Sequence, residues 1–278
     1  MSLFGVSFIG PDDKVASGRY RCIMPARHLY KKGWKMGDDV VVTMKHQWPE
    51  DFSKKGKSYI FDVCDDHFKT HRDHYVKHCK EADFVTCNSE EMSKIIKRET
   101  GRDSLVIPDP VESDRQPAHF SESGLWFGNK WNFKPLTRYA GRLPSNIQVI
   151  SEPFAPFVTP WSKANLKKGF EKAGYVLIPV GEKKAKSANR LLEAMYSGCF
   201  VICEPMPAYD EFEDFCWIGD LADGIEWYLK NPKKALEMTR KGQEYISKNY
   251  TIEQIGKLWE RALHGAYKPT HILKERRA

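Results

Sequence analysis

The sequence predicts an α/β protein built on two parallel β-sheets, and three observations lead to this prediction. Short apolar runs alternate along the chain with longer segments of helical periodicity, which is the pattern of repeated βαβ units. A proline-containing polar stretch at 108–123 interrupts this alternation, which then restarts. The length of 278 residues exceeds that of a usual single domain. The chain is therefore expected to form two α/β domains joined by a short linker.

The first half of the chain has its own set of predicted elements. Apolar runs predict strands at 3–9, 40–43, 59–63, 84–87 and 105–107. Helical patterns lie between these strands, at 19–32, 67–80 and 90–100. Ser89 is suited to cap the start of the last helix, and Gly101 is suited to end it.

The second half repeats the alternation after the linker. Strands are predicted at 125–127, 147–150, 175–179, 200–203 and 215–218. Helices are predicted at 134–139, 162–173, 188–197, 220–230 and 233–248, and a last helix opens at Thr251. We expect a first domain over 1–118 and a second over 119–278, with the last helix able to pack back on the first domain.

The net charge and the cysteines bear on the partners of the protein and on its cellular compartment. The chain carries 44 Lys and Arg against 37 Asp and Glu, a net charge of +7, which suits anionic partners such as sugar nucleotides, phospholipid head groups or nucleic acid. The basic residues are interspersed with acidic ones, however, so a mixed solvated surface accounts for most of them and the charge alone does not decide the partner. The seven cysteines are odd in number and show no CxxC spacing, which indicates reduced thiols. No run approaches the ~20 apolar residues of a membrane span. The opening residues lack the pattern of a signal peptide, so we expect a cytoplasmic protein without a transmembrane segment.

The segment 175–203 is the most informative part of the sequence. It predicts a strand, a polar loop, a helix and a second strand. Ser187 is suited to cap this helix, so the backbone N–H groups of 188–190 would point toward the loop. A helix start of this kind binds phosphate groups, and Lys186 and Arg190 add positive charge there. Because basic residues at a helix start oppose the helix dipole, an anionic ligand gives them a reason to be present.

Further along the same helix, two polar residues share one face. Asn189 and Glu193 are four residues apart, so one could hold phosphate while the other accepts hydrogen bonds from a ribose diol. Leu191, Leu192 and Met195 form the opposite, inward-facing stripe.

This segment resembles the donor-binding motif of the group-1, glycogen-synthase-like family of retaining glycosyltransferases. The similarity lies in Leu-Leu-Glu193-Ala-Met-Tyr-Ser-Gly198-Cys-Phe-Val-Ile. The family has a Glu-x7-Glu pair, whose first Glu falls at Ala185 here, and Lys-Ser-Ala-Asn-Arg at 186–190 stands beside it as a variant of the donor helix.

Other segments are similar to the same family. They are 17–29 with Ser17-Gly18-Arg19-Tyr-Arg21, 86–92 and 106–111 at the end of the first domain, and 125–130 with Gly128-Asn129-Lys130. The resemblance implies a GT-B fold, in which two Rossmann-like domains face a cleft. It also implies transfer of a sugar from a nucleoside diphosphate sugar, such as a UDP- or GDP-sugar, to an acceptor that the sequence does not identify. No permanently bound cofactor or metal is expected.

The helix-start argument and the resemblance together define the predicted site. The donor-binding residues are Ser17, Gly18, Arg19, Gly128, Asn129, Lys130, Lys186, Ser187, Asn189, Arg190, Leu191 and Glu193. Lys186 and Arg190 are also assigned to catalysis, since they would stabilise the departing diphosphate. Arg21 is a further candidate for contact with donor phosphate, with surface solvation as the alternative.

Asp65, Asp66 and His67 follow a predicted strand of the first domain. Carboxylates in this position could bind an acceptor hydroxyl or act as a general base, whereas Asp66 could equally cap a helix. His67, His71, His74 and His78 fall on one helical face, a spacing that can bind zinc, but the family resemblance implies metal-independent chemistry.

Two alternatives to this function stay open. One is a glycosyltransferase of viral type that acts on a modified base in DNA, which the net charge permits. The other is a non-catalytic GT-B-like protein that binds sugar nucleotides, which the missing acidic residue at Ala185 favours.

Overall fold

A computed structural model describes residues 4–45, 57–181 and 185–267. These residues form two compact units. The first unit contains 4–110, 185–187 and 250–267, and the second contains 111–181 and 188–249. The first unit is therefore assembled from three separate stretches of the chain.

The elements of the chain up to residue 110 form a parallel sheet and its helices. The strands are β1 (Gly5–Ile9), β2 (Lys35–Met36), β3 (Val40–Met44), β4 (Ser58–Val63), β5 (Phe84–Cys87) and β6 (Leu105–Val106). The helices are α1 (Ala16–Gly18), which continues through a π-helical turn (Arg19–Ile23) into α2 (Met24–Lys31), then α3 (Arg72–Glu81) and α4 (Glu90–Thr100). All strand pairs are parallel, in the order β2-β1-β3-β4-β5-β6.

The second unit has a sheet of the same kind. Its strands are β7 (Gly124–Phe127), β8 (Ile147–Ser151), β9 (Val158–Pro160), β10 (Tyr175–Ile178), β11 (Phe200–Cys203) and β12 (Trp217–Ile218). Its helices are α5 (Lys163–Lys172), α6 (Asn189–Tyr196), α7 (Leu221–Lys230) and α8 (Pro232–Asn249), with 3-10 helices at Lys130–Asn132, Lys134–Tyr139 and Pro207–Phe212. The last described helix, α9 (Ile252–Ala266), belongs to the first unit.

The order of the strands indicates where along the edge of each sheet a ligand would bind. The order β12-β11-β10-β7-β8-β9 is the doubly wound order, and its direction of winding reverses between β7 and β10. In the first sheet the reversal lies between β1 and β3. Ligands of such sheets bind outside the carboxyl ends of the strands at these switch points.

Local sequence signals explain where several helices begin and end. Ser89 caps α4 by accepting the N–H of Met92, and Gly101 ends it with a φ of 74°, both as predicted. Ser162 caps α5 in the same way, through the N–H of Asn165. The predicted helix at 67–80 begins later, at Arg72, because the residues after β4 form a turn closed by the His71 N–H on the His67 carbonyl.

The core of the first unit includes a helix from the far end of the chain. Ile255, Trp259 and Leu263 of α9 are fully buried and pack with strand residues such as Val40 and Ile60. All seven cysteines are buried and free, in agreement with the predicted reduced thiols. Among the described residues, no helix is long and apolar enough to cross a membrane.

Candidate active site

Two residues of the predicted donor site meet at the switch point of the second sheet. Gly128 follows β7 with a φ of 149°, a conformation that favours glycine. Arg190, in the first turn of α6, lies against it, since a methyl group on Gly128 would be 3.5 Å from Nη1 of Arg190. The structure thus puts a cation and a closely approachable backbone where a ligand of a doubly wound sheet binds.

The guanidinium of Arg190 is incompletely satisfied. Nη2 lies 3.4 Å from the Pro179 carbonyl oxygen, to which it donates. Nη1 is buried and has no hydrogen-bond partner within the described part of the chain. Burial raises the pKa of the nearby Tyr209 to about 12, whereas the positive charge of Arg190 and a hydrogen bond between the two side chains act in the opposite direction. A buried donor without an acceptor costs free energy, which an oxygen of an anionic ligand would recover.

The start of α6 differs from its prediction. The helix begins at Asn189, Ala188 is the N-cap residue, and no side chain caps the helix. The prediction that Ser187 is the cap is wrong, because its hydroxyl donates to Oδ2 of Asp109 at 2.6 Å. Among the described residues, the first N–H groups of α6 therefore have no side-chain acceptor, as a phosphate-binding helix start requires.

The predicted donor segment is divided between the two units. Residues 185–187 belong to the first unit, and α6 belongs to the second. Ala185, which replaces the first Glu of the family motif, packs in an apolar cluster of the first unit. Lys186 is half-buried beside it.

The carboxylate of Glu193 is hydrogen-bonded to the backbone of the linker. Its carboxylate is buried and accepts the backbone N–H groups of Glu112, at 2.6 Å, and Ser113, at 3.0 Å. Burial raises the pKa of Glu193, and these hydrogen bonds oppose that effect. The contact of Glu193 with a ribose diol thus stays a prediction. Such a contact would use the carboxylate lone pairs that do not accept hydrogen bonds from the linker. Leu191 is fully buried, so its side chain belongs to the core, as its place on the inward stripe predicts.

Glu204, just after β11, is half-buried, and its carboxylate accepts hydrogen bonds from three groups. Its Oε1 accepts the Tyr139 hydroxyl at 2.7 Å. Its Oε2 accepts the N–H of Val180 and Nη2 of Arg138, both at 2.6 Å. These bonds hold Val180, just after β10, next to the switch point, and the bonded residues are too far apart in sequence for the bonds to be inferred from it.

Asn129 and Lys130 follow Gly128 but make local contacts. The Asn129 side chain accepts the N–H of Trp131 and caps a 3-10 helix. The Lys130 ammonium lies 3.7 Å from Glu152 and 5.3 Å from the centre of the Trp131 ring. Contact of these two side chains with donor phosphate stays a prediction.

The predicted donor residues of the first unit follow β1. Gly18 is packed so closely on the preceding loop that a Cβ would lie 2.3 Å from the Asp12 carbonyl oxygen. Arg19 is buried and donates to the Asp13 carbonyl at 2.8 Å. The Ser17 hydroxyl is buried and has no hydrogen-bond partner among the described residues.

Arg21 does not reach toward solvent. Its guanidinium is fully buried and forms two parallel hydrogen bonds with Asp62, at 3.0 and 2.6 Å. It also contacts the Ile107 carbonyl and lies 3.4 Å from Asp109. Burial opposes its charge, but Asp62 outweighs burial and raises the pKa of Arg21. The candidate phosphate contact of Arg21 is therefore wrong, and the residue is part of a buried ion pair.

The predicted acceptor-side residues follow β4. Asp65 is 2.9 Å from the ammonium of Lys45, a residue with a φ of 53° at the end of β3. Asp66 has one buried oxygen, Oδ1, without a hydrogen-bond partner in the described residues. The His67 ring packs near Tyr75. Each of the three side chains thus lies at the carboxyl edge of the first sheet, and their catalytic role stays a prediction.

Only two of the four histidines that were predicted to share one helical face lie within a helix. His67 precedes α3 and His71 is its N-cap residue, whereas His74 and His78 lie within the helix with ring centres 4.2 Å apart. Burial lowers the pKa of His78 to about 4. No group of three or more potential metal ligands occurs in the ranges that the structure describes.

Comparison with known proteins connects this geometry to a fold. Residues 128–261 match the model of a family described as glycosyl transferase-like. Among solved structures, HepE from Anabaena in complex with UDP and glucose is 12% identical, with a TM-score of 0.65 over 91% of this chain and 84% of that one. WaaG, a glycosyltransferase involved in lipopolysaccharide biosynthesis, is 11% identical, with a TM-score of 0.64 over 92% and 99%.

The chain has the GT-B fold. Its two parallel six-stranded sheets with their helices match the fold of these structures, which confirms the predicted fold class. TarM is a further GT-B neighbour, 14% identical with a TM-score of 0.65 over 81% of this chain, which spans about half of the TarM length. No curated protein sequence matches the chain. The family match begins at Gly128 and includes Arg190, Glu193 and Glu204 of this GT-B chain.

Proposed function

We propose that the protein is a glycosyltransferase that takes a hexose from a UDP- or GDP-sugar. The observation that supports this proposal is the buried Nη1 of Arg190 at the switch point of the second sheet, which has no acceptor among the residues that the structure describes. The uncapped start of α6 and the close approach at Gly128 support the same conclusion. HepE structures that contain UDP or UDP-glucose favour a uridine nucleotide.

In this proposal the diphosphate of the donor binds at Gly128, Arg190 and the first N–H groups of α6. During transfer, the bond between the sugar's anomeric carbon and the diphosphate breaks, and a bond to the acceptor oxygen forms. Arg190 and Lys186 stabilise the negative charge that develops on the diphosphate. The acceptor hydroxyl loses its proton, and Asp65, Asp66 and His67 are the candidates that accept it. Retention of configuration is expected from the family resemblance.

Arg190→Ala tests the donor site. It removes the unsatisfied donor and its charge, so we expect at least a tenfold loss of affinity for the nucleoside diphosphate, about 1.4 kcal/mol, in calorimetric titration. Arg142→Ala is the matched control, because Arg142 is an exposed arginine of the same unit that pairs with Asp220. Equal affinities of the wild type and Arg190→Ala would rule out this site.

A thermal-shift screen tests the donor class. A ligand that binds the folded state at 100 times its Kd stabilises that state by about 2.7 kcal/mol, so UDP-, GDP-, ADP- and CDP-sugars can be ranked by the rise in Tm. A rise with one nucleotide identifies the donor base. The absence of any rise with all four would contradict the proposal.

A non-catalytic sugar-nucleotide-binding protein is the second candidate. Ala185, at the position of the family's first Glu, is an apolar core residue of the first unit and offers no contact to a sugar hydroxyl. Slow hydrolysis of the bound UDP-sugar, followed by the release of free sugar, separates the two candidates. Binding without any turnover in water or with added acceptors favours the second.

A further inference from the structure

Three side chains of the second unit carry a buried hydrogen-bond donor that has no acceptor among the described residues. They are Trp126 of β7, Ser151 of β8 and Arg190 of α6, and the unpartnered atoms are Nε1, Oγ and Nη1. Trp126 and Ser151 are completely buried. Because a buried donor without an acceptor costs free energy, such groups are few in folded proteins and each needs an explanation.

The positions along β7 and β8 put Trp126 and Ser151 on the same face of the sheet. Side chains alternate between the two faces along a strand, and paired residues of parallel neighbours share a face. Trp126 pairs with Val149, and both belong to one core cluster. Ser151 comes two residues after Val149, so its side chain lies on that face at the carboxyl end of β8.

Gly128 lies next to all three side chains. Its N–H donates to the Ile150 carbonyl oxygen at 3.2 Å, which continues the pairing of β7 with β8 and brings Gly128 beside Ser151. A methyl group on Gly128 would be 3.5 Å from Nη1 of Arg190 and 3.8 Å from Cζ2 of Trp126. Cζ2 is bonded to the indole carbon that carries Nε1. The three unpartnered donors therefore lie around one glycine at the switch point of the sheet.

The chemistry of these donors limits what can bind to them. An indole N–H and a guanidinium can only donate, whereas a serine hydroxyl can donate and accept. The guanidinium also carries a permanent positive charge. A ligand that satisfies all three must offer several acceptor oxygens and negative charge on one small centre. The non-bridging oxygens of a phosphoryl group meet this requirement, whereas sugar hydroxyls need acceptors of their own.

We infer that Trp126 and Ser151 are phosphate-binding residues that hold one phosphoryl group together with Arg190. This inference rests on the proposed function and extends its donor site to the ends of β7 and β8. The absence of a side chain at Gly128 lets the phosphoryl group approach the backbone between the three donors. Neither residue was predicted from the sequence, because each belongs to an ordinary strand and only the register of the sheet places it beside Gly128.

Ser151→Ala tests the inference, with inorganic pyrophosphate as a probe that does not depend on the nucleobase. Removing an unpartnered buried hydroxyl should leave the Tm of the ligand-free protein unchanged or raise it. The affinity for pyrophosphate and for UDP should fall about tenfold in calorimetric titration, because a hydrogen bond to a charged oxygen is lost. Failure of pyrophosphate to bind the wild type, or equal pyrophosphate affinities of the two proteins, would overturn the inference.

Thr239→Val is the matched control. Thr239 carries another buried hydroxyl of the second unit, but this hydroxyl donates to the Ala235 carbonyl oxygen at 2.9 Å within α8. Its removal should lower the Tm and leave the pyrophosphate affinity unchanged. An equal loss of affinity in both variants would show that any lost buried hydroxyl weakens binding, and the assignment of Ser151 would then be wrong.

The indole N–H of Trp126 can be followed by NMR in an isotope-labelled protein. Its resonance is the one that disappears from the spectrum of Trp126→Phe. A hydrogen bond to a phosphoryl oxygen should move this proton signal downfield when pyrophosphate is added. Trp259 of the first unit is the control, because its Nε1 is also buried without a partner among the described residues. A Trp126 signal that moves no more than that of Trp259 would count against the inference.

Failure of this inference is distinguishable from failure of the proposed function. If UDP affinity falls in Arg190→Ala but not in Ser151→Ala, the donor site stands and only this inference is wrong. If pyrophosphate binding depends on Ser151 but no nucleotide sugar raises the Tm, the phosphate site stands and the proposed glycosyltransferase function is wrong.

Discussion

At the scale of single residues, Gly128 and Arg190 show how the backbone makes room for a charged side chain. The φ of 149° at Gly128 turns the chain at the end of β7, where a side chain would bring both strain and contact with the guanidinium. The two residues are distant in sequence, and the strand order brings them together.

Gly128→Ala is expected to be destabilising. Strain at this φ costs about 1–3 kcal/mol, and the new methyl group would lie 3.5 Å from Nη1 of Arg190. We expect a lower Tm in calorimetry together with weaker UDP binding. Gly181→Ala serves as the control, because its methyl group would make an ordinary 3.6 Å contact with Pro135. A Tm equal to that of the wild type would show that an alanine adopts the conformation of Gly128 without loss of stability.

At the scale of elements, buried polar contacts join segments that the sequence separates widely. Arg21, in the π-helical turn after α1, pairs with Asp62 of β4, and Asp109 after β6 contacts both Arg21 and the Ser187 hydroxyl. Thr86 of β5 also donates to Asp62, at 2.7 Å. Burial raises the pKa of Asp109, against the effects of Arg21 and Ser187. The network therefore fixes the segment just before α6 to the sheet of the first unit.

Asp62→Asn tests this network. Removing one partner of a buried ion pair costs about 3–5 kcal/mol, because the charge of Arg21 would stay buried with too little compensation. Chemical denaturation followed by a probe of the first unit should show this loss. Asp38→Asn removes the partner of an exposed pair with Lys57 and should change stability by less than about 1 kcal/mol. Similar effects of the two substitutions would contradict the buried network.

The same elements show what the sequence predicts and what it does not. Strands such as β3, β10 and β11 were predicted nearly to the residue, because β-branched and apolar runs are their signal. The edge strands β2 and β9 were missed, since Lys35–Met36 is exposed and Val158–Pro160 contains a proline. Of the site, Arg190 at the start of a helix was predictable from local charge. The bonds from Glu112 and Ser113 to Glu193 were not, because they depend on how the linker passes over α6.

At the scale of the whole molecule, the first unit is discontinuous and the second is nearly continuous. Helix α9 supplies Ile255, Trp259 and Leu263 to the core of the first unit, although more than a hundred residues of chain separate it from β6. The stability of the first unit thus depends on a helix that follows the complete second unit.

Truncation after Asn249 is expected to affect the two units differently. Loss of α9 exposes the apolar core residues of the first unit, and replacing even one such side chain by alanine costs about 2–5 kcal/mol. The first unit should therefore unfold while residues 111–249 stay folded. Amide hydrogen exchange measured by mass spectrometry would show protection lost in β3 and β4 and kept in β10 and β11. Protection kept in β3 and β4 would contradict this dependence.

The position of α9 also sets an order of events during synthesis on the ribosome. Strands β1 to β6 emerge first together with α2 to α4, but the strand residues that pack with α9 are covered only when α9 emerges, on the order of ten seconds later at usual translation rates. The second unit is fully synthesised before α9 and can fold without waiting for it. The first unit is therefore expected to complete its core only after the whole second unit has been synthesised, although its strands are made first.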